Sequence, residues 1–374
     1  GEDRLTLSVI MHRDKKGNVA SHEICESVIN SDRRMKYGSV KKILVDKDKE
    51  EIKKYKELVP TFKLMERVSK LIRKNREKRG SLDFDFPESK ITIDENGKPI
   101  SVEAYELSVA NRIIEDFMLI CNETVAKEFY DREIPFVYRT HSKPDPDKIK
   151  KLFDFLAKFG YSAKGRPEDI KPKEIQKLTK SIEGKPEEML LTRLILRAMQ
   201  QARYTVKNDG HYGLAATDYC HFTSPIRRYP DLQIHRIIKE VINNKYTNKR
   251  HEHYESILPL VATMSSRYER RAEECEKEVV KMKKAEYMSE RIGEVYDGRI
   301  SGVTSWGIYV ELPNTIEGLV PISNLPEDEY VFDEENYELI GENFNRHYNL
   351  GDEVKVVVER ADKEERIVDF SLYE

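Results

Sequence analysis

Near Arg291 the chain changes texture, and that change divides what it can fold into. Before this point, apolar residues recur at three- and four-residue steps over long tracts, the period of an amphipathic helix. After it the period disappears. Short β-branched or aromatic runs take over: Arg299–Val303, Gly307–Leu312, Gly318–Ile322, Val354–Val358 and Ile367–Leu372. Five short strands in about 80 residues suit a small closed β-barrel. The expectation is an α+β chain, with a mixed domain over residues 1–291 and an all-β barrel over residues 292–374.

Within the first part, two pairs of strands read as hairpins. Leu5–Met11 and Val19–Val28 flank the turn-like Asp14-Lys15-Lys16-Gly17-Asn18, and Leu82–Ile93 and Pro99–Val102 flank Asp94-Glu95-Asn96-Gly97. Apolar spacing predicts helices over about 48–78, 105–130, 146–159, 186–204, 230–243 and 254–291. Arg79-Gly80 is a natural stop for the first of them. Residues 208–229 are rich in Gly, Thr, Ser and Pro and read as a structured loop.

Several function classes fall away. No run of about 18 apolar residues exists, so no membrane-spanning helix is expected, and the polar Gly1-Glu2-Asp3-Arg4 shows no signal peptide. Cys25, Cys121, Cys220 and Cys275 lie far apart without a CxxC pair, which fits a reducing cytoplasm better than a disulfide framework or zinc site. Walker, GxGxxG, HExxH and GxSxG motifs are absent. The net charge of −3 argues at first against a nucleic-acid partner. Divided at Arg291, however, it becomes roughly +11 for the body and roughly −14 for the barrel. The basic excess is strongest where Arg73, Lys74, Arg76, Lys78 and Arg79 crowd one helix end. This reads either as a solvated face or as part of a channel for a phosphate chain.

The segment from Gly210 to Arg236 carries the most chemistry. It sets Thr223 and Ser224 before Pro225, then Arg227 and Arg228, then Pro230 at a helix start. Hydroxyls, guanidinium forks and a helix N-terminus converge within about ten residues, which suits a phosphate or other anion. A purely structural loop with a Ser or Thr cap would use the same residues, and physics alone leaves both readings open.

The string His221-Phe222-Thr223-Ser224-Pro225-Ile226-Arg227-Arg228-Tyr229-Pro230-Asp231-Leu232 resembles the signature of the RNB family, the ribonuclease II and ribonuclease R exoribonucleases. Gly210-His211-Tyr212-Gly213-Leu214 upstream and His235-Arg236 downstream belong to the same resemblance, and the Arg-Arg-Tyr-Pro-Asp form is closer to ribonuclease R. The likeness extends through Asp3–Thr6, Ser27–Ser31, Arg34–Tyr37, Arg79–Phe84, Ala110–Met118 and Tyr138–His141. Gly298–Val303, Trp306–Val310, Glu317–Val320 and Phe370–Leu372 resemble an S1-type RNA-binding OB fold.

That resemblance implies processive hydrolysis of single-stranded RNA from its 3′ end to nucleoside 5′-monophosphates. It implies Mg²⁺ as cofactor, with two ions assisting an in-line displacement. Arg227 resembles the arginine near the scissile phosphate, where its charge would stabilise a developing oxyanion. Tyr37 resembles the tyrosine beside the 3′-terminal nucleotides. Glu115 resembles an acid near the terminal ribose, placed to accept from a 2′-hydroxyl. Phe84 resembles the aromatic that caps the base stack. Arg228, Thr223, Ser224 and Arg139 are further RNA-binding candidates, as are Trp306 and Tyr309 on a strand near the start of the barrel.

Each residue has a plainer reading by itself. Phe84 and Phe86 share a strand face and suit a core. Glu115 and Asp116 lie off the apolar stripe of their helix and suit a solvated surface. Tyr37 alone is uninformative, and Trp306 and Tyr309 suit either base stacking or the barrel core.

The family's metal-binding pattern, D-x5-D-x-D-D, is absent from this sequence, so no metal ligand is assigned within it. The resemblance sets those aspartates and the cold-shock domains upstream, and a basic tail downstream. The expectation is therefore the C-terminal portion of such an enzyme, beginning inside the catalytic domain and nearly inactive alone. The alternative is an RNA-binding module without catalysis.

Overall fold

The computed structural model describes residues 1–82, 88–105, 107–162, 165–185, 188–334 and 336–373, without the side chains of Met189 and Leu190. Two antiparallel ribbons form where the hairpins were expected: β1 (Asp3–Arg13) with β2 (Val19–Asn30), and β3 (Glu88–Ile93) with β4 (Pro99–Tyr105). An aspartate closes each turn. Asp14 Oδ1 accepts from the Lys16 and Asn18 N–H groups at 2.9 and 2.8 Å, and Asp94 Oδ1 from Asn96 and Lys98 at the same distances.

The helix expected over 48–78 is interrupted. Lys49–Lys54 forms a short helix, a turn follows, and α1 (Val59–Arg79) then starts afresh. Pro60 is the reason: it has no N–H and disfavours a helical residue before it, so it opens a helix instead of continuing one. Gly80 ends α1 at a φ of 103°, and a Cβ there would lie 2.6 Å from the Lys173 backbone N. The glycine thus supplies the left-handed turn and also the room for another helix to approach.

Helix α2 (Val109–Asp131) begins later than its spacing suggested because β4 runs on to Tyr105. Three helices follow: α3 (Pro146–Lys158), α4 (Pro172–Ile182) and α5 (Glu188–Ala198). They share a core through Ile149, Leu156, Ile175, Leu178, Leu191 and Ile195. Helix α4 was not anticipated, although Pro172 in its first turn and the spacing of Ile175, Leu178 and Ile182 carry its signal. A short pair, β5 (Tyr138–Thr140) and β6 (Arg203–Thr205), lies under the 208–229 loop. Helix α6 (Tyr229–Ile242) leaves that loop, and the 41-residue α7 (Asn248–Met288) runs on to the barrel.

The barrel strands are β7 (Val295–Thr304), β8 (Gly307–Glu311) and β9 (Glu317–Pro321), then β13 (Glu353–Asp362) and β14 (Ile367–Leu372). They close in the order β13-β14-β9-β8-β7 around Ile300, Ile308, Val310, Val356 and Phe370. A Cβ on Gly318 would strike the Phe370 ring at 2.5 Å, so that glycine is what lets the ring fill the barrel. Between β9 and β13 the chain inserts a three-stranded sheet that was not anticipated: β10 (Tyr330–Asp333), β11 (Glu338–Gly341) and β12 (Arg346–Asn349).

Barrel and body share one packed seam. Val102 of β4 and Ala285 and Met288 of α7 are buried in the barrel's own cluster. The Lys284 Nζ donates to the Thr315 carbonyl at 2.5 Å, and Arg193 reaches both the Ser301 carbonyl, at 2.8 Å, and the Glu311 carboxylate. Among the described residues no helix is long and apolar enough to cross a membrane.

Candidate active site

Two buried polar side chains shape the loop that carries Arg227. The first is Asn122 on α2. Its Oδ1 accepts from the Phe222 N–H at 3.0 Å, its Nδ2 donates to the Tyr219 hydroxyl at 3.1 Å, and its carbonyl accepts from Cys220 Sγ at 3.4 Å. The second is Asp231, 0% exposed, in the first turn of α6. Its Oδ1 accepts from the Ser224 N–H and from Arg228 Nη2, both at 2.7 Å, and its Oδ2 accepts from Arg228 Nε at 2.9 Å. An acid there also complements the helix dipole.

The Ser224 carbonyl then accepts from the N–H groups of Arg227 and Arg228 at 3.3 and 3.0 Å, closing a tight turn. The turn pushes its outer residues into solvent. Ile226 is 101% exposed, and the exposed Arg227 side chain has no hydrogen-bond or ion-pair partner among the described residues. The loop is thus braced from below and presents one free guanidinium from above.

The other expected residues are placed differently. Arg228 is forked on Asp231, so it holds the loop rather than displaying charge. Arg139 donates to Glu269 Oε2 at 2.5 Å and lies 4.7 Å from the Tyr204 ring centre, so its charge is also committed. Thr223 and Ser224 are partly buried, and their hydroxyls make no hydrogen bond among the described residues. Tyr37 starts the short Tyr37–Lys41 helix, is half-exposed, and sits on an element packed against α2. Phe84 lies outside the described residues. Trp306 is in the turn between β7 and β8, not on a strand, and is 57% exposed. Its Nε1 donates to the Tyr309 hydroxyl at 3.3 Å. Tyr309 alternates with the inward Ile308 and Val310, so this aromatic pair faces out of the barrel core.

Glu115 and Asp116 correct the expectation of a solvated face. Asp116 is 0% exposed; it accepts from Ser69 Oγ at 2.6 Å, Arg76 Nη1 at 2.8 Å and Arg73 Nε at 3.3 Å. Glu115, half-exposed beside it, lies 3.8 Å from Arg73 and 3.9 Å from Arg76. Arg79 forks onto Glu123 at 2.8 and 2.7 Å. Three of the five crowded cations of α1 therefore grip α2. Glu115 and Asn122 are seven residues apart, two turns and about 10 Å along one face. One helix thus carries the acid, the loop clamp and the seat of the Tyr37 element.

Beneath the loop lie uncharged imidazoles. Burial, aided by nearby Arg228 and Arg139, pushes His221 down to about 2, and burial with His141 nearby pushes His211 down to about 3. The Tyr204 hydroxyl, its own pKa raised by burial, is hydrogen-bonded to His221 Nδ1 at 2.8 Å. These rings stay neutral near pH 7 and serve packing, not proton transfer. A histidine with a folded pKa below its unfolded value of about 6.5 contributes fully above that pH and loses its contribution as pH falls toward the folded value. Urea unfolding is therefore expected to show stability falling below about pH 6.5, by up to about 1.4 kcal/mol per pH unit for each ring. A flat profile between about pH 7 and 5 would count against neutral burial.

The fold and this loop define the class. Residues 1–244 match the RNB domain and residues 289–372 the S1 RNA binding domain, and the chain belongs to the RNB family. It is similar to ribonuclease R 1 of Lactococcus lactis, 42% identical over 368 residues, which cover 98% of this chain and 45% of that protein. Ribonuclease R of Aquifex aeolicus is 42% identical over 374 residues, covering 100% of this chain and 52% of that one. The chain spans about half the length of the curated relatives it matches. The fold also matches Mycoplasma genitalium RNase R in complex with ribose methylated single-stranded RNA, with a TM-score of 0.90 and 26% identity, covering 100% of this chain and 58% of that one.

Proposed function

We propose that this chain supplies the Arg227 loop and the S1 barrel of a 3′-to-5′ exoribonuclease of the ribonuclease R type, acting on single-stranded RNA in the cytoplasm and releasing nucleoside 5′-monophosphates. The observation that carries the reading is the free Arg227 guanidinium, set on a turn braced by Asp231 and Asn122 inside the family's own motif. Residues 1–291 serve as the catalytic-domain portion and residues 292–374 as the RNA-binding barrel. The whole enzyme uses a divalent cation, Mg²⁺ in this reading. Among the described residues no group of three His, Cys, Asp or Glu is placed to hold a metal ion, so no step here is routed through one.

The roles of the chain's own groups follow from geometry. Arg227 neutralises charge building on the scissile phosphate without first giving up an internal partner. Arg228 and Asp231 fix the turn, so Arg227 need not reorganise. Glu115, held near Arg73 and Arg76, accepts from a ribose hydroxyl and so favours RNA. Trp306 and Tyr309 offer an exposed aromatic surface for bases, without sequence preference.

The test is release of mononucleotides from 5′-labelled poly(A) by the full-length gene product. Shortening in one-nucleotide steps from the 3′ end is expected. Salt-sensitive binding of poly(A) with no such products would instead leave a binding module. Phe84→Ala is expected to change the length of the shortest product; an unaltered end product with lowered stability would return Phe84 to a core role.

A further inference from the structure

A cleft of about 610 Å³ lies between α3, α5 and the β10–β12 insert. That is within the roughly 300–1,000 Å³ typical of small-ligand sites. Its floor is apolar: Leu152 and Phe155 on α3, Leu194 and Ala198 on α5, all buried. Its rim is cationic. Lys148 and Lys151 stand one turn apart on α3, on the same stripe as Phe155, and Arg197 of α5 lines the same cleft. The contrast with the rest of the body is informative. Arg73, Arg76, Arg79, Arg139 and Arg228 are all committed to carboxylates. The side chains of Lys148, Lys151 and Arg197 have no ion pair or hydrogen bond among the described residues.

The insert supplies the far wall through Tyr337. This residue has a φ of 53°, a left-handed backbone that costs an aromatic residue on the order of 1–3 kcal/mol. Its ring meets Phe155 edge-on at 5.4 Å, and Lys158 Nζ donates to Asn336 Oδ1 at 2.8 Å beside it. The strained backbone is thus held where it sets a ring against the cleft. Two carboxylates, Asp154 and Glu334, complete the lining.

We propose that this cleft binds a nucleoside 5′-monophosphate. The phosphate lies among Lys148, Lys151 and Arg197, the base covers the apolar floor against Tyr337, and the ribose hydroxyls donate to Asp154 or Glu334. A bare phosphate would leave the floor empty, and an uncharged nucleoside would leave the rim unpaired. The choice of this ligand rests on the exoribonuclease reading, whose product it is; the chemistry of the cleft does not. Occupancy would tie the barrel insert to the helical body and report the product concentration to the RNA-binding end.

The test is calorimetric titration of AMP into this 374-residue chain, with adenosine and inorganic phosphate as controls, and into the surface variants Lys151→Glu and Arg197→Glu. AMP is expected to saturate one site, with both controls weaker by about ten-fold or more. Each variant should lose about ten-fold in AMP affinity with an unchanged circular dichroism spectrum, and Arg227→Ala should lose nothing. No saturation by about 10 mM AMP overturns the proposal. So does AMP binding that Arg227→Ala abolishes and Arg197→Glu spares, which would place the nucleotide at the catalytic loop. Oligo(A) binding that needs Arg197 while AMP does not bind would make the cleft an RNA groove and also overturn it. Binding requires no turnover, so failure here leaves mononucleotide release standing, and failure of that assay leaves this titration interpretable.

Discussion

Asp116→Ala is expected to lower the stability of the chain by about 3 kcal/mol or more, because it strips a buried charge cluster of its centre. Asp116 is fully buried and gathers Ser69, Arg73 and Arg76. The Arg76 side chain is only 4% exposed, so its charge cannot turn to water when the carboxylate is gone. Glu115, at 3.8 and 3.9 Å, compensates only in part because it is half-solvated. Against a typical stability of about 5–15 kcal/mol, the loss is large. It is read from urea unfolding as a lower midpoint at unchanged slope. Asp116→Asn keeps the shape and one acceptor and should cost less. A loss under about 1 kcal/mol for the alanine variant would show that α1 and α2 are held by their apolar contacts and not by this cluster.

Arg227→Ala is expected to do the opposite: to leave stability within about 0.5 kcal/mol while lowering turnover by about 10²–10³-fold. The side chain has no internal partner, so its loss breaks nothing in the folded chain. Its proposed work is done only as charge builds on the phosphate, which makes the loss fall on kcat more than on RNA affinity. Single-turnover rates and oligo(A) binding by the full-length gene product, measured in parallel, separate the two. Equal losses in both would make Arg227 a binding contact. Arg227→Lys keeps the charge and loses the fork, so partial activity is expected.

These two residues show what a single sequence can and cannot carry. Arg227 was legible because its motif is local: the turn, the flanking proline and the helix start all lie within a few positions. Arg228 and Asp231 were close enough to be paired on paper, three residues apart at a helix start. Arg139 was not, since its partner Glu269 lies 130 residues away. Asp116 misled because the apolar stripe sends polar residues to solvent, a rule that fails when two helices meet through charged faces. The barrel was legible from its strand rhythm, but the β10–β12 insert was not. Its strands are four residues each, too short to stand out from the turns around them. The break at Pro60 is plain in the residue itself, but the apolar spacing continues across it and masks it.

The long helix α7 has a mechanical consequence. Ser266 accepts from the Tyr204 N–H and Glu269 holds Arg139, both under the Arg227 loop; Ala285 and Met288 of the same helix are buried in the barrel. About 24 Å of uninterrupted helix separates Glu269 from Ala285, and Pro259 lies outside that stretch. The helix is therefore a strut, running from the floor of the loop into the barrel core. The floor of the Arg227 loop and the core of the barrel are thus held by one continuous helix.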